Sequence, residues 1–178
     1  MRFGGMVLAT VLALSACTSD PAPRKPSPGA SSASASPTRA VPTMPPQASE
    51  DSAEGAAAFV HHYVDVFNYA AATGDVDELT RLSSPDCDGC QRYIELYRDT
   101  YAAGGYFKGG DWKLGELKVS AGKPETVLFA KITSPAGRFR ESSDSTPTVG
   151  NAEDTDLTFV LEHSEKRWLL TTLELQAK

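Results

Sequence analysis

Hydrophobic and polar positions divide this 178-residue chain into three stretches of different character. Met6 to Leu14 is a short apolar run behind Arg2, well below the roughly 20 residues that a spanning helix needs. From residue 18 to 50 the apolar residues follow no period. Beyond residue 51 they do. Val60, Tyr63, Val64, Phe67 and Ala71 recur at helical spacing, and Phe59, Val66 and Ala70 widen the stripe. With Ser52 as cap, Glu54 in the first turn and Gly74 as stop, the pattern predicts a helix over about 53–73. Asp75 or Asp77 then caps a short second helix through Leu79 and Leu82, ended by Pro85. A third helix is expected from near Asp88 to Ala103. Tyr93, Leu96, Tyr97 and Tyr101 share its broad face and Ile94 lies at the edge. Gly104-Gly105 terminates it, and Gly109-Gly110 marks a further loop.

After Asp111 the period changes from 3.6 to 2. Trp112 and Leu114 alternate, then Leu117 and Val119 alternate in the other phase, so a β-bulge is expected across Gly115-Glu116. Val127 to Thr133 reads as a second strand between Pro124 and Pro135, with Phe139, flanked by arginines, extending it past a bend. Residues 141–153 are polar and read as a long loop. Leu157, Phe159 and Leu161 mark a third strand, Ser164-Glu165-Lys166 a turn, and Trp168 to Leu175 the last strand. Segregated helices and strands predict an α+β class, with three N-terminal helices packed on a curved antiparallel sheet of about four strands.

Composition sharpens the first two stretches. Eight of the twelve prolines, from Pro21 to Pro46, lie before residue 51 among Ser- and Ala-rich runs. Burial of so few apolar groups could not offset the entropy of ordering, so a disordered tether is expected there. Net charge is −6 overall, but the first fifty residues carry +2 and the remainder −8. An acidic domain argues against nucleic-acid binding. Leu14-Ser15-Ala16-Cys17 resembles the lipobox of bacterial lipoproteins. The resemblance implies a signal peptide over 1–16, a diacylglyceryl group on Cys17, and a tether over 17–50 ahead of a domain over 51–178. It also implies attachment to the extracytoplasmic face of the cell membrane through that lipid.

The element order, with Ala72-Thr73-Gly74-Asp75 ending the first helix and a Trp-containing hairpin ending the sheet, resembles the nuclear-transport-factor-two-like fold. That is the cone shared with SnoaL-like cyclases and ketosteroid isomerases, also called cystatin-like. The whole chain resembles an uncharacterised family of actinobacterial lipoproteins. The residues that carry this are the lipobox, Pro42-Thr43-Met44-Pro45-Pro46, Phe67-Asn68-Tyr69-Ala70, Ser84-Pro85-Asp86-Cys87-Asp88-Gly89-Cys90 and Ala103-Gly104-Gly105-Tyr106.

Three readings compete for Cys87-Asp88-Gly89-Cys90. Export favours a structural disulfide, with Gly89 permitting the tight turn. A helix N-terminus would favour a redox pair by lowering a thiol pKa, which Asp86 and Asp88 oppose. A zinc site would need two further ligands, and His61, His62 and His163 have no supporting spacing. The leading expectation is a Cys87–Cys90 disulfide, with no metal and no cofactor. The cone implies a cavity whose candidate lining is His61, Asp65, Tyr69, Tyr93, Tyr97 and Tyr101, with His62 and Glu162 as further polar candidates. Of the adjacent histidines, one is expected exposed and the other buried and satisfied. Isomerase chemistry needs a carboxylate base and an acid such as Tyr63. Asp65 stands about 200° around the helix from Tyr63, so no such pair is assembled. The expected function is therefore a non-catalytic binding or scaffold module of the cell envelope, with an envelope protein or a small apolar ligand as partner. The alternatives are a small-molecule binder and an isomerase- or cyclase-type enzyme.

Overall fold

A computed structural model describes residues 39–176. The signal peptide, Cys17 and the tether up to residue 38 lie outside them. Helix α1 is Ala53–Thr73. Ser52 caps it by accepting from the Gly55 amide at 3.0 Å, and Gly74 ends it in the left-handed region at φ 78°. A Cβ at Gly74 would also run into the Tyr101 ring, so the stop doubles as a packing site. Helices α2 (Asp77–Leu82) and α3 (Asp88–Ala102) follow. The N-cap of α2 is Val76, without a side-chain bond, rather than Asp75 or Asp77; Asp75, one residue earlier, accepts from the Asp77 amide at 3.2 Å.

Among the described residues, seven strands form two antiparallel sheets rather than one sheet of about four. They are β1 Gly104–Gly109, β2 Lys113–Ser120, β3 Glu125–Ser134, β4 Gly137–Ser142, β5 Thr148–Gly150, β6 Glu153–Ser164 and β7 Arg167–Leu175. The four-stranded sheet runs β2-β3-β6-β7, and the three-stranded sheet β1-β4-β5. The additional strands, β1, β4 and β5, include two segments read from sequence as loop. Gly104–Gly109 pairs with β4, and Thr148–Gly150 pairs with Gly137–Phe139. Pro135, with no amide to donate, stands where β3 gives way to β4. The bulge falls between Leu114 and Leu117 as the phase change indicated.

Leu128, Ala130 and Ile132 on β3, Leu157, Phe159 and Leu161 on β6, and Leu170 and Leu173 on β7 are buried in one core with the apolar face of α1. On α3 the order differs from expectation: Ile94, read as an edge residue, is fully buried, while Leu96 is 44% exposed. Cys90, Ile94, Tyr97 and Thr100 define the buried stripe, so the helix is rotated toward Ile94 and away from Leu96.

The segment before α1 also corrects the tether boundary. Pro46–Ser49 is a 3-10 helix, Ala48 is buried and Met44 packs on the core. The Trp168 indole donates to the Glu50 carbonyl at 2.9 Å, and His163 Nε2 lies 3.3 Å from the Ser49 carbonyl. These contacts give residues 44–50 the burial and hydrogen bonds that composition alone concealed, and they place that segment with the domain.

Candidate functional site

The helices and the small sheet enclose a cluster of aromatic rings. Phe67 stacks on Trp112 with centroids 3.9 Å apart. It meets Tyr93 and Tyr97 edge-on at 4.9 and 5.4 Å, and Tyr97 meets Phe107 at 5.2 Å. Phe107 in turn stacks on Phe139 of β4 at 6.0 Å. Such contacts add to area burial at about 0.5–1.5 kcal/mol per pair.

Asn68 holds the plug in register. Its Oδ1 accepts from the Trp112 amide at 2.7 Å, and its Nδ2 donates to the Trp112 carbonyl at 2.9 Å. The side-chain amide thus pairs with the backbone of the β1–β2 loop as a neighbouring strand would. Phe67-Asn68 in the motif noted above therefore acts as stack and clamp.

Beside the plug lies a cleft of about 170 Å³. It is lined by Phe67, Asn68, Tyr97, Phe107, Trp112 and Phe139, by glycines of β1, β4 and β5, and at its edge by Asp111 and Arg138. Its volume is below the roughly 300–1,000 Å³ of a site for drug-sized ligands. An adjoining hollow of about 290 Å³ is lined by Arg39, Phe107, Lys108 and Asp111, with Arg39 Nη2 3.7 Å from Asp111. Around the end of β7 a third hollow, of about 320 Å³, is lined by Asp88, Gly89, Arg92, Tyr93, Leu173 and Leu175.

The six candidate lining residues separate into distinct roles. Tyr97 lines the 170 Å³ cleft, and Tyr93 lines the hollow by β7. The Tyr69 hydroxyl donates to Asp75 at 2.8 Å, a bond that raises its pKa. The Tyr101 hydroxyl donates to the Ala71 carbonyl at 2.9 Å. His61 and Asp65, four residues apart on α1, are both exposed and line none of these cavities, because the buried stripe of α1 passes through the residues between them. Glu162 is exposed as well. Burial pushes the phenols of Tyr93, Tyr97 and Tyr101 up from their ordinary range, so the cluster is uncharged at neutral pH. Tyr63 is fully buried with its hydroxyl 3.2 Å from Ser83 Oγ, and burial raises its pKa too.

His62 is the buried histidine of the pair, and it differs from the satisfied one expected. Its Nε2 has no hydrogen-bond partner among the described residues and lies 3.9 Å from Glu78. Glu78 is itself paired with Arg81. Burial, outweighing Glu78 and Asp65, lowers the His62 pKa below its ordinary value.

Cys87 and Cys90 are joined in a disulfide. Both are buried in the core, away from the solvent contact that redox exchange requires. Gly89 has a role other than the one expected: it lies in helix α3, where a Cβ would overlap the Leu173 carbonyl oxygen of β7. Close approach of helix to strand, rather than loop closure, requires glycine there. Among the described residues no group of three or more His, Cys, Asp and Glu is placed to hold a metal. No described helix is long and apolar enough to cross a membrane.

Sequence reasoning passed over the outer face of the small sheet, where Lys108 and Arg140 lie over the Tyr106 ring and Arg138 stands opposite Lys108. The readable signal was Arg138-Phe139-Arg140: in a strand, Phe139 turns inward and both arginines turn outward.

A family model matches residues 28–174, from the proline-rich segment to β7. The chain belongs to the DUF6318 family. That family is one of unknown function. No curated protein matches the chain. Among solved structures, this DUF6318 member is similar to the intermembrane space region of the chloroplast protein ARC6. The identity is 14% and the TM-score 0.52, covering 71% of this chain and 98% of that one. It is also similar to a Nostoc punctiforme protein of unknown function with a cystatin-like fold, at 8% identity and TM-score 0.43, covering 67% and 88%. An NTF2-like protein with a cystatin-like fold from Novosphingobium aromaticivorans matches at 13% identity and TM-score 0.40, covering 65% and 77%. At these identities the likeness is one of fold.

Proposed function

We propose that this DUF6318 protein is a lipoprotein of an actinobacterial cell envelope. Its nuclear-transport-factor-two-like domain serves there as a non-catalytic interaction module on the extracytoplasmic face of the membrane. The lipobox-like Leu14-Ser15-Ala16-Cys17 supports the anchor. The observation that carries the module reading is the aromatic cluster: Trp112, stacked on Phe67 and clamped by Asn68, leaves beside it a cleft of only about 170 Å³, below the size of a site for drug-sized ligands. What the domain offers a partner is then its surface. An isomerase or cyclase would need an interior carboxylate base, whereas the carboxylates beside the aromatic cluster are Asp111, drawn toward Arg39 at the rim, and Glu153, which is exposed.

Two measurements test this reading. Cys17→Ala should make the protein extractable from the membrane fraction by high salt, whereas the lipidated chain stays; equal extraction of both contradicts the anchor. Crosslinking in intact envelopes should recover one specific neighbour through the domain, and recovery of nothing specific contradicts the module. The aromatic cleft favours a second reading, capture of a small apolar ligand no larger than a single ring. Saturable binding of a single-ring ligand by calorimetry, weakened in Phe139→Ala, would support it, and no saturable heat would contradict it.

A further inference from the structure

We propose that the outer face of the β1-β4-β5 sheet docks on an anionic lipid surface. In the antiparallel register Tyr106 stands opposite Arg140 and Lys108 opposite Arg138. Residues directly opposite one another share a face, so all four side chains project from one side of the sheet. Phe107 and Phe139 project from the other, into the aromatic plug. Lys108 Nζ lies 4.7 Å and the Arg140 guanidinium 5.1 Å from the Tyr106 ring centroid. Arg138 faces Val149 across β5, and Val149 is 65% exposed. Like charges directly opposite in a sheet oppose folding. Among the described residues none of these three cations makes an ion pair, whereas Arg39, Arg81, Lys123 and Lys131 each do. Contacts with the Tyr106 ring hold Lys108 and Arg140, but nothing acidic offsets the three charges, on a domain whose residues 51–178 sum to −8 with them included.

The position of the chain entry selects lipid over an acidic protein. Arg39, the first described residue, lines the same hollow as Lys108. Only residues 18–38 separate it from Cys17, a stretch that spans at most about 75 Å when extended. A domain suspended at this corner presents the adjacent basic face to the headgroups, while anionic lipid repels the acidic remainder. Tyr106 and Val149 among the cations suit the boundary between headgroup and acyl chain, where amphipathic side chains settle. The proposal rests on the lipid-anchored reading for this orientation, but not for the chemistry of the face.

Vesicle flotation of the full chain carrying Cys17→Ala, which removes the acylation site, tests it independently of anchoring. At low salt, phosphatidylglycerol vesicles should carry the protein at least about tenfold better than phosphatidylcholine vesicles, the latter accounting for the apolar run Met6–Leu14. Lys108→Glu/Arg138→Glu should cut the phosphatidylglycerol-dependent part by at least about twentyfold, and the charge-matched Lys113→Glu/Lys118→Glu on β2 by far less. Arg140 is left in place because its Nη2 holds the Gly104 carbonyl. The milder Arg138→Gln should give an intermediate loss, with its melting curve confirming the fold. Equal carriage by both lipids, or equal losses in the two double variants, overturns the proposal. So does binding that survives in Lys108→Glu/Arg138→Glu while a crosslink to an acidic protein is lost.

Discussion

The two faces of the small sheet follow different rules. Phe107 and Phe139 point inward and complete an aromatic cluster whose members explain one another by burial and ring contact. One residue away on each strand, Lys108 and Arg138 stand opposite each other outside with no ion partner among the described residues. The inner face is what a stable domain requires. The outer face sets two like charges opposite each other, a local cost to folding, and it is the face proposed above to bind. Period-2 alternation lets both occupy the same two strands, β1 and β4, without interference.

Breaking the inner face should have the largest effect. Phe67→Ala removes the ring on which Trp112, Tyr93 and Tyr97 all converge and should cost about 3–5 kcal/mol in denaturant unfolding. A loss below about 1 kcal/mol would mean that the plug is loosely packed and the cone able to open. Gly89→Ala should cost about 1–3 kcal/mol by driving α3 off the Leu173 carbonyl, with the disulfide still formed by mass spectrometry. A neutral result would return Gly89 to the role of loop closure.

A smaller effect is expected from His62. Burial holds its imidazole neutral in the folded state, below the ordinary pKa near 6.5. The unfolded chain therefore binds the extra proton first. Stability contributed by the neutral form is complete above about pH 6.5 and falls as pH drops from there toward the lowered folded value. His62→Gln should flatten the stability profile in that window relative to the unaltered protein. An unchanged slope would show that Glu78 takes up the proton's charge.

The smallest effect belongs to the outer face. Lys108→Gln/Arg138→Gln should leave the melting temperature unchanged or raise it by about 1–3 °C, because a repulsive pair is relieved. A clear destabilisation would mean that these cations serve the fold and not a partner.

Much of the inner region was legible in the sequence. The stripe from Phe59 to Ala71, the Ser52 cap, the Gly74 stop and the bulge before Leu117 follow from periodicity and backbone chemistry acting over a few residues. The strand Gly104–Gly109 was not legible, because three glycines in six positions read as a loop, while pairing to β4 supplies the order they lack. Thr148–Gly150 is too short to show alternation. Pro46–Ser49 has the composition of a tether and is held by Trp168 and His163, more than a hundred residues away. The clamp of Asn68 on Trp112 spans 44 residues, and no local pattern signals it. The basic face was half legible: Arg138-Phe139-Arg140 announces its own alternation, but its pairing with Lys108 depends on the unrecognised strand.

Lysine-acylation footprinting in intact envelopes tests most directly whether binding takes place on the outer face. Lys108 should be protected severalfold relative to exposed Lys113, Lys118 and Lys131 and should regain full reactivity once detergent removes the lipid. Uniform labelling of all four lysines in the intact envelope would contradict the assignment of binding to this face.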